Sequence, residues 1–126
     1  MPKKVLVIDD ESSVRKSFIL ALEDICEVET AESGEEGVKK AKKKFDIIFC
    51  DLKMPGLNGV ETVRMIRKKD KKTPIFIVTA FSKEYTDSLK QLQDEKIEFQ
   101  LMSKPLLSEQ IVAVVEGVVG GMASYS

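Results

Sequence analysis

The sequence predicts an α/β fold in which helices cover both faces of a parallel β-sheet. Five short apolar runs recur along the 126 residues, and a segment with helical spacing of apolar residues follows each run. Strands and helices that alternate in this way imply right-handed crossovers and a parallel sheet. The length fits one domain with a single core.

The five apolar runs are the predicted strands. The first, third and fourth runs are nearly continuous in Val, Ile and Phe, which is typical of strands covered on both faces. The second and fifth runs alternate more and suit outer positions in the sheet. The predicted strands are Lys4–Ile8, Glu27–Ala31, Asp46–Cys50, Pro74–Val78 and Glu98–Met102.

Apolar residues spaced by three or four positions predict the helices between these strands. Ser33 with Glu36, and Asn58 with Glu61, have the spacing of a capping box and predict the starts of the second and third helices. The lysines of 39–44 are expected to form a solvated helix end rather than a binding patch. The apolar series are Val14, Phe18, Leu22 and Ile25; Val38 and Ala41; Val60, Val63 and Ile66; Tyr85, Leu89 and Leu92; and Ile111, Val114, Val115 and Val118.

The composition indicates which partners and which cellular compartment to expect. Hydrophobic residues make up 43% and charged residues 33%, as in ordinary soluble domains. The net charge of −1 argues against a broad nucleic-acid surface, so no direct nucleic-acid partner is expected. No apolar stretch is long enough to span a bilayer or to serve as a signal peptide. We therefore expect a cytoplasmic protein with no membrane partner.

The cysteine and histidine content limits which catalytic groups and metal ligands the chain can offer. Cys26 and Cys50 lack metal or redox spacing and are interpreted as buried reduced thiols, with a disulfide as the less favoured alternative. The chain contains no histidine, so it lacks the commonest general acid–base group and the commonest metal ligand. Any bound metal is then expected to be a hard cation held by oxygen atoms.

Polar residues with chemical potential follow four of the predicted strands. These residues are Asp9, Asp10 and Glu11 after the first strand, Asp51 after the third, Thr79 after the fourth and Lys104 after the fifth. Each has a plain structural explanation when taken alone: a helix cap, a solvated strand end or a surface lysine. Taken together they meet at the edge of the sheet where ligands of such folds bind.

Carboxylates that converge at one edge repel one another unless a cation neutralises them. Oxygen ligands in a small and partly open site suit Mg²⁺. A hydroxyl from Thr79 and an ammonium from Lys104 at the same edge complete the components of a phosphoryl-transfer site. Asp51, separate from the acidic pair and directed from the middle strand, is the candidate nucleophile that would accept a phosphoryl group.

This pattern resembles the receiver domain of two-component response regulators, from Lys3 to about Gly120. The resemblance rests on the order and spacing of four segments: IDDE, DLKMPGLNG, VTA and SKP. It implies a flavodoxin-like, doubly wound sheet with strand order 2-1-3-4-5 and five flanking helices. It also implies a receiver domain over residues 1–120 and a flexible tail over 121–126.

The resemblance implies a role for each site residue. Asp51 would be phosphorylated and, with Asp10, would bind Mg²⁺. The backbone carbonyl of Lys53 would be a further metal ligand, and Asp9 would assist through water. Thr79 would contact the phosphoryl group and shift on activation, while Lys104 would pair with that group. A cis peptide bond would precede Pro105.

Three departures from the family pattern lie around the fourth helix, fifth strand and fifth helix, the usual output face. Leu101 stands where a switch Tyr or Phe is usual, and Leu106 replaces a common Phe. The segment DEKIEFQ replaces the usual Gly-Ala before the fifth strand. Phe99 lies on the same face as Leu101 by strand alternation and could substitute for the missing aromatic. We expect an altered switch with intact phosphoacceptor chemistry.

Lys53 and Phe81 occupy positions that resemble those that tune dephosphorylation in the family. A longer lifetime of the phosphoryl group is the expectation, but the two residues together do not determine whether that lifetime rises or falls. The resemblance further implies a sensor histidine kinase or phosphotransfer protein as donor, a downstream protein target and a homodimer through the output face. The chain would be a phosphoacceptor regulator that catalyses only its own phosphorylation and dephosphorylation. Whether it is a stand-alone regulator or part of a longer protein stays open.

Three other functions compete with this interpretation. A phosphorylation-independent pseudo-receiver would act as an interaction module, and the missing aromatic at Leu101 weakly favours it. A Mg²⁺-dependent phosphatase with an aspartyl nucleophile usually has a second acid two residues later, where this chain has Lys53. A flavin-binding flavodoxin would need phosphate-binding donors after the first strand, where DDESS would repel a phosphate.

Overall fold

The computed structural model describes residues 3–80 and 83–124, with side chains described up to residue 118. The strands are β1 (Lys3–Ile8), β2 (Cys26–Ala31), β3 (Ile47–Asp51), β4 (Ile75–Thr79) and β5 (Gln100–Ser103). The helices are α1 (Ser12–Leu22), α2 (Gly34–Lys40), α3 (Gly59–Arg67), α4 (Thr86–Asp94) and α5 (Ser108–Ser124). A single 3₁₀ turn, Lys83–Tyr85, precedes α4.

All strands are parallel and lie in the order β2-β1-β3-β4-β5. This order confirms the predicted fold class. β2 lies on one side of β1, whereas β3, β4 and β5 follow on the other side, so the strand order reverses between β1 and β3. Folds of this kind bind ligands beyond the carboxyl ends of the strands at such a point. The site residues predicted after β1 and β3 therefore lie at the functional edge.

Two apolar clusters, one on each face, explain why the central strands are continuous hydrophobic runs. Alternate residues of β1 and β3 enter opposite clusters, as strand geometry requires. One cluster packs under α2, α3 and α4 and contains Ile8, Ile48 and Ile77. The other packs under α1 and α5 and contains Phe18 and Phe49, whose ring centroids are 4.9 Å apart. All five residues of β3 are buried.

The helix starts agree with the sequence only in part. Asn58 forms the full predicted capping box with Glu61 at the start of α3. The Ser33 side chain accepts a hydrogen bond from the Glu36 N–H, which is the cap half of the second predicted box. The N-cap of α1 is Glu11, without a side-chain cap bond, so Asp10 does not cap this helix. Ile25 lies beyond α1 and is exposed.

β5 begins two residues later than predicted because a buried arginine donates hydrogen bonds to the backbone carbonyl oxygen of Glu98, which precedes the strand. The guanidinium of Arg67, in the last turn of α3, donates from two nitrogens to the backbone oxygen of Glu98, at 3.1 and 2.9 Å. That oxygen is therefore satisfied by a side chain. Glu98 and Phe99 lead into the strand without belonging to it.

The C-terminal part of the described chain is formed by α5. α5 continues to Ser124, past residue 120, and residues 125 and 126 of the expected tail lie outside the described residues. The boundary at 120 stays a prediction.

Cys26 and Cys50 are free and buried, as predicted. None of the described helices is both long enough and apolar enough to cross a membrane.

Candidate functional site

Three carboxylates meet at the carboxyl edge of the sheet. Asp9, Asp10 and Asp51 each offer an oxygen, and these oxygens lie within 4.8 Å of one another. The register explains the meeting: Ile8 of β1 pairs with Cys50 of β3, so the residues that follow them are side by side. Asp9 and Asp51 are buried, at 2% and 5% exposure, whereas Asp10 is exposed.

One ammonium group faces these carboxylates. The Nζ atom of Lys104 lies 3.2 Å from Oδ2 of Asp9 and 3.1 Å from Oδ1 of Asp51. The backbone positions this lysine, because its N–H donates to the Thr79 carbonyl oxygen at 2.9 Å and so continues the pairing of β4 with β5. The Lys104–Pro105 peptide bond is cis, as expected from the sequence.

The electrostatics of the cluster show an excess of negative charge. Burial, followed by the neighbouring charge of Asp9, raises the pKa of Asp51 to about 6, although Lys104 opposes the shift. Burial also raises the pKa of Asp9, against the N–H of Glu11 and the charge of Lys104. Burial acts to lower the pKa of Lys104, but its bond to Asp51 and the charges of Asp51 and Asp9 leave that pKa raised.

This donor set fits a divalent hard cation. All three candidate donors are carboxylate oxygens, two are buried, and one ammonium cannot balance three negative charges. Mg²⁺ prefers such oxygen ligands and keeps several waters, which suits a site open on the side of the exposed Asp10.

The raised pKa of Asp51 predicts a pH-dependent effect of the Asp51→Asn variant. In the folded chain this pKa is about 6, above the ordinary 3.8, so the stability contributed by the protonated carboxyl is complete below about pH 4 and lost as pH rises through 6. We expect Asp51→Asn in metal-free buffer to raise the free energy of unfolding by about 2 kcal/mol at pH 7.5 and by much less at pH 4. Urea unfolding at both pH values measures this.

The control for this prediction is Asp24→Asn, because Asp24 is an exposed aspartate after α1. Its unfolding free energy should match the native value at both pH values. An Asp51→Asn variant that is no more stable than the Asp24→Asn variant at pH 7.5 would contradict the charge excess.

The remaining predicted residues lie at or near the same edge. Thr79 ends β4, one residue past the Val78 that pairs with Asp51, and is half-buried. Lys53 is exposed, and its Nζ lies 3.7 Å from Oε1 of Glu84. The role of its backbone carbonyl as a metal ligand stays a prediction. Phe81 lies outside the described residues.

The predicted switch positions lie on β5 and just before it. Leu101 pairs with Ile77 and is 51% exposed. Phe99 precedes the strand, is half-buried and packs against the cluster under α2, α3 and α4. Phe99 is therefore partly covered by this cluster, while Leu101 is exposed.

Gly59 supports the backbone of the site, a role that the sequence analysis did not assign to it. A Cβ atom at this position would lie 2.4 Å from the carbonyl oxygen of Asp51 and 2.7 Å from the Cα of Leu52. The Gly59 N–H donates to the Leu52 oxygen at 2.7 Å. The start of α3 thus packs directly on the backbone that carries the Asp51 carboxylate. The sequence signals were the position of this glycine after the capping Asn58 and at the end of the DLKMPGLNG segment.

Comparison with known proteins shows the family. The sequence model of the response regulator receiver domain matches residues 5–116, and the chain belongs to this family. Receiver domains act in two-component signalling as phosphoacceptors rather than as turnover enzymes. The acidic cluster of Asp9, Asp10 and Asp51 is consistent with this class.

Relatives and solved structures agree with the family. The alkaline phosphatase synthesis transcriptional regulatory protein PhoP of Bacillus subtilis is 35% identical over 120 residues, which cover 94% of this chain and 49% of PhoP. The transcriptional regulatory protein ResD of the same organism is 41% identical over 83 residues, 64% of this chain and 34% of ResD. This chain thus spans half or less of the length of these relatives.

Chemotaxis protein CheY4 of Vibrio cholerae has a similar structure, with a TM-score of 0.80, 33% identity and coverage of 94% of this chain and 99% of CheY4. A CheY-like receiver domain protein from Methanospirillum hungatei has a TM-score of 0.85 at 20% identity, with full coverage of both chains. The second comparison shows the fold alone.

Proposed function

We propose that Asp51 accepts a phosphoryl group from the phosphohistidine of a sensor kinase or phosphotransfer protein in the cytoplasm, and that the acyl phosphate changes affinity for a downstream protein. The observation that carries this proposal is the buried Asp51 carboxylate beside Asp9, with Lys104 in contact with both. The chain has no histidine, so within this sequence it can only receive the group.

The chemistry is a displacement at phosphorus. A carboxylate oxygen of Asp51 forms a bond to phosphorus as the phosphorus–nitrogen bond of the donor breaks, and the electron pair of that bond remains on the imidazole nitrogen, which takes up a proton. With a pKa of about 6, Asp51 is mostly ionised near neutral pH and available as the nucleophile. Hydrolysis later breaks the acyl phosphate and returns the carboxylate.

Several side chains would assist this transfer. Lys104 is proposed to move its ammonium from the carboxylates to a phosphoryl oxygen, and the Thr79 hydroxyl to donate to another. Asp10, Asp51 and the Lys53 carbonyl would hold Mg²⁺, and Asp9 would assist through water. When bound, the metal would supply positive charge that neutralises the phosphoryl oxygens.

The test uses beryllofluoride, a mimic of the bound phosphoryl group. We expect Mg²⁺ plus beryllofluoride to raise the melting temperature of the native chain by several degrees, because a ligand that binds only the folded state stabilises it. The rise should require Mg²⁺ and should vanish in Asp51→Asn but persist in Asp24→Asn. Differential scanning fluorimetry measures it. A native chain without a shift would instead support the pseudo-receiver.

We propose that residues 1–120 form the receiver domain. Its output face, the surface that contacts a target, would consist of α4, β5, α5 and the residues that flank them. Leu101 and Leu107 are 51% and 62% exposed there and offer apolar contacts to a target or to a second copy. We also propose an altered switch, which is supported by the half-buried packing of Phe99 and the exposure of Leu101. Size-exclusion chromatography with beryllofluoride tests the homodimer, and an unchanged elution volume would contradict it.

A further inference from the structure

Lysines collect at the edge of the sheet opposite to the acidic cluster. Helices α2 and α3 pack side by side under the same apolar cluster, and both run toward the amino ends of the strands. Their carboxyl ends and the residues that follow them therefore lie next to each other. We call the exposed lysines of these two segments the lysine surface: Lys39, Lys42, Lys43, Lys44, Lys68, Lys69, Lys71 and Lys72.

The charges of the lysine surface are largely uncompensated within the described part of the chain. Only Lys43 has an ion pair there, with Glu29 at 3.4 Å. Asp70 lies among these lysines, but its oxygens accept from the N–H groups of Lys72 and Thr73 and from the Thr73 hydroxyl. Seven of the eight ammonium groups thus have no carboxylate partner among the described residues.

The helix dipole explains only some of the lysines in the lysine surface. A lysine in the last turn of a helix is favoured by the negative end of the helix dipole, which accounts for Lys39 in α2. The effect falls off within one turn. It does not account for the exposed lysines at 42–44 and at 71 and 72, which follow the helix ends. The net charge of −1 therefore does not describe the local charge at this edge, where the eight exposed lysines collect.

The composition of the lysine surface selects among anionic partners. Its two segments, KKAKKK and KKDKK, contain no aromatic and no large apolar residue that could insert into a membrane. Protein interfaces are depleted in lysine and depend on aromatic and arginine anchors, which these segments also lack. Single-stranded nucleic acid is normally held by aromatic stacking. Non-specific duplex binding needs only phosphate neutralisation, which lysines provide.

We propose that the lysine surface binds the phosphate backbone of double-stranded DNA without reading its sequence. This inference revises the expectation from net charge, because a local patch rather than the sum of charges governs such binding. The surface lies at the edge away from Asp51, so DNA and a phosphodonor could be bound at the same time. Success or failure here leaves the proposed phosphoacceptor function untouched.

The experiment measures fluorescence anisotropy of a labelled duplex of about 30 base pairs against native chain at several salt concentrations, without Mg²⁺. A patch variant carries Lys42→Gln, Lys44→Gln and Lys69→Gln. A control variant carries Lys16→Gln, Lys83→Gln and Lys90→Gln, three exposed lysines on or just before other helices. Both remove three charges, and glutamine keeps helix propensity close to that of lysine.

We expect a native Kd of about 10⁻⁴ to 10⁻⁶ M that weakens steeply with salt. The patch variant should bind about tenfold or more weakly, with a salt slope smaller by about 2 to 3, since each phosphate contact contributes about 0.9. The control variant should lose much less. Equal losses in both variants would overturn the proposal, as would absent native binding at low salt, tighter binding to single strands, or binding only to anionic vesicles. Unchanged far-ultraviolet circular dichroism spectra of both variants would confirm that they fold.

Discussion

Lys104→Met is expected to lower the free energy of unfolding by about 3 kcal/mol at pH 7.5 in metal-free buffer. The substitution removes the ammonium that contacts both Asp9 and Asp51 and leaves two buried carboxylates beside each other without a cation. Removing one partner of a buried ion pair costs about 3 to 5 kcal/mol, and protonation of Asp51 keeps the loss at the lower end. Urea unfolding with and without Mg²⁺ measures the effect.

Metal addition and a second substitution distinguish this charge effect from lost packing. If the three carboxylates bind Mg²⁺, millimolar metal should stabilise Lys104→Met more than it stabilises the native chain. Lys104→Met combined with Asp51→Asn should lose less stability than the two single effects predict, because the neutral side chain no longer needs the ammonium. The exposed control Lys90→Met should change little. A metal-independent loss that is additive with Asp51→Asn would point to packing.

Gly59→Ala should destabilise the fold by about 3 kcal/mol or more. The new methyl group would overlap the Asp51 carbonyl oxygen and the Leu52 Cα, and both are backbone atoms that cannot rotate away. Either α3 or the end of β3 must therefore shift. Chemical denaturation gives the loss of stability, and a smaller beryllofluoride-induced melting shift would report the displaced Asp51.

Gly117→Ala is the matched control for this prediction. Gly117 lies within α5, and a Cβ there would have no heavy atom within 4 Å apart from its chain neighbours and the backbone of its own helix. Alanine is a better helix former than glycine, so this variant should gain about 0.5 to 1 kcal/mol. If both variants unfolded at the same denaturant concentration, close packing at Gly59 would not be the cause of its effect.

The sequence predicted the parts of this molecule that depend on local periodicity. Continuous apolar runs located the central strands, and the polar residues at their ends located Asp9, Asp51 and Lys104, because parallel strands bring their carboxyl ends to one edge. Strand ends were less predictable. β3 extends to Asp51 and β4 to Thr79, one residue further than the apolar runs.

Features created by tertiary packing could not be predicted in this way. Gly59 matters because the start of α3 packs so closely on the end of β3 that a Cβ atom would overlap the Asp51 and Leu52 backbone. No local sequence pattern encodes this close approach. Arg67 looks like a surface residue at a helix end, yet it is 7% exposed and bonds the carbonyls of Glu98 and Asp70. Both positions depend on partners that are distant in the chain or on the approach of two elements.

The acidic cluster and its lysine have a consequence for synthesis of the chain on the ribosome. The residues that contact one another at the site are spread over almost the whole sequence, with Asp9 and Lys104 separated by 95 positions. A nascent polypeptide exposes Asp51 before its compensating ammonium has been made. Only a folded molecule that includes both segments brings the Asp51 carboxylate and the Lys104 ammonium together. Under the proposed function, truncated or misfolded copies would therefore lack the assembled site and could not accept a phosphoryl group.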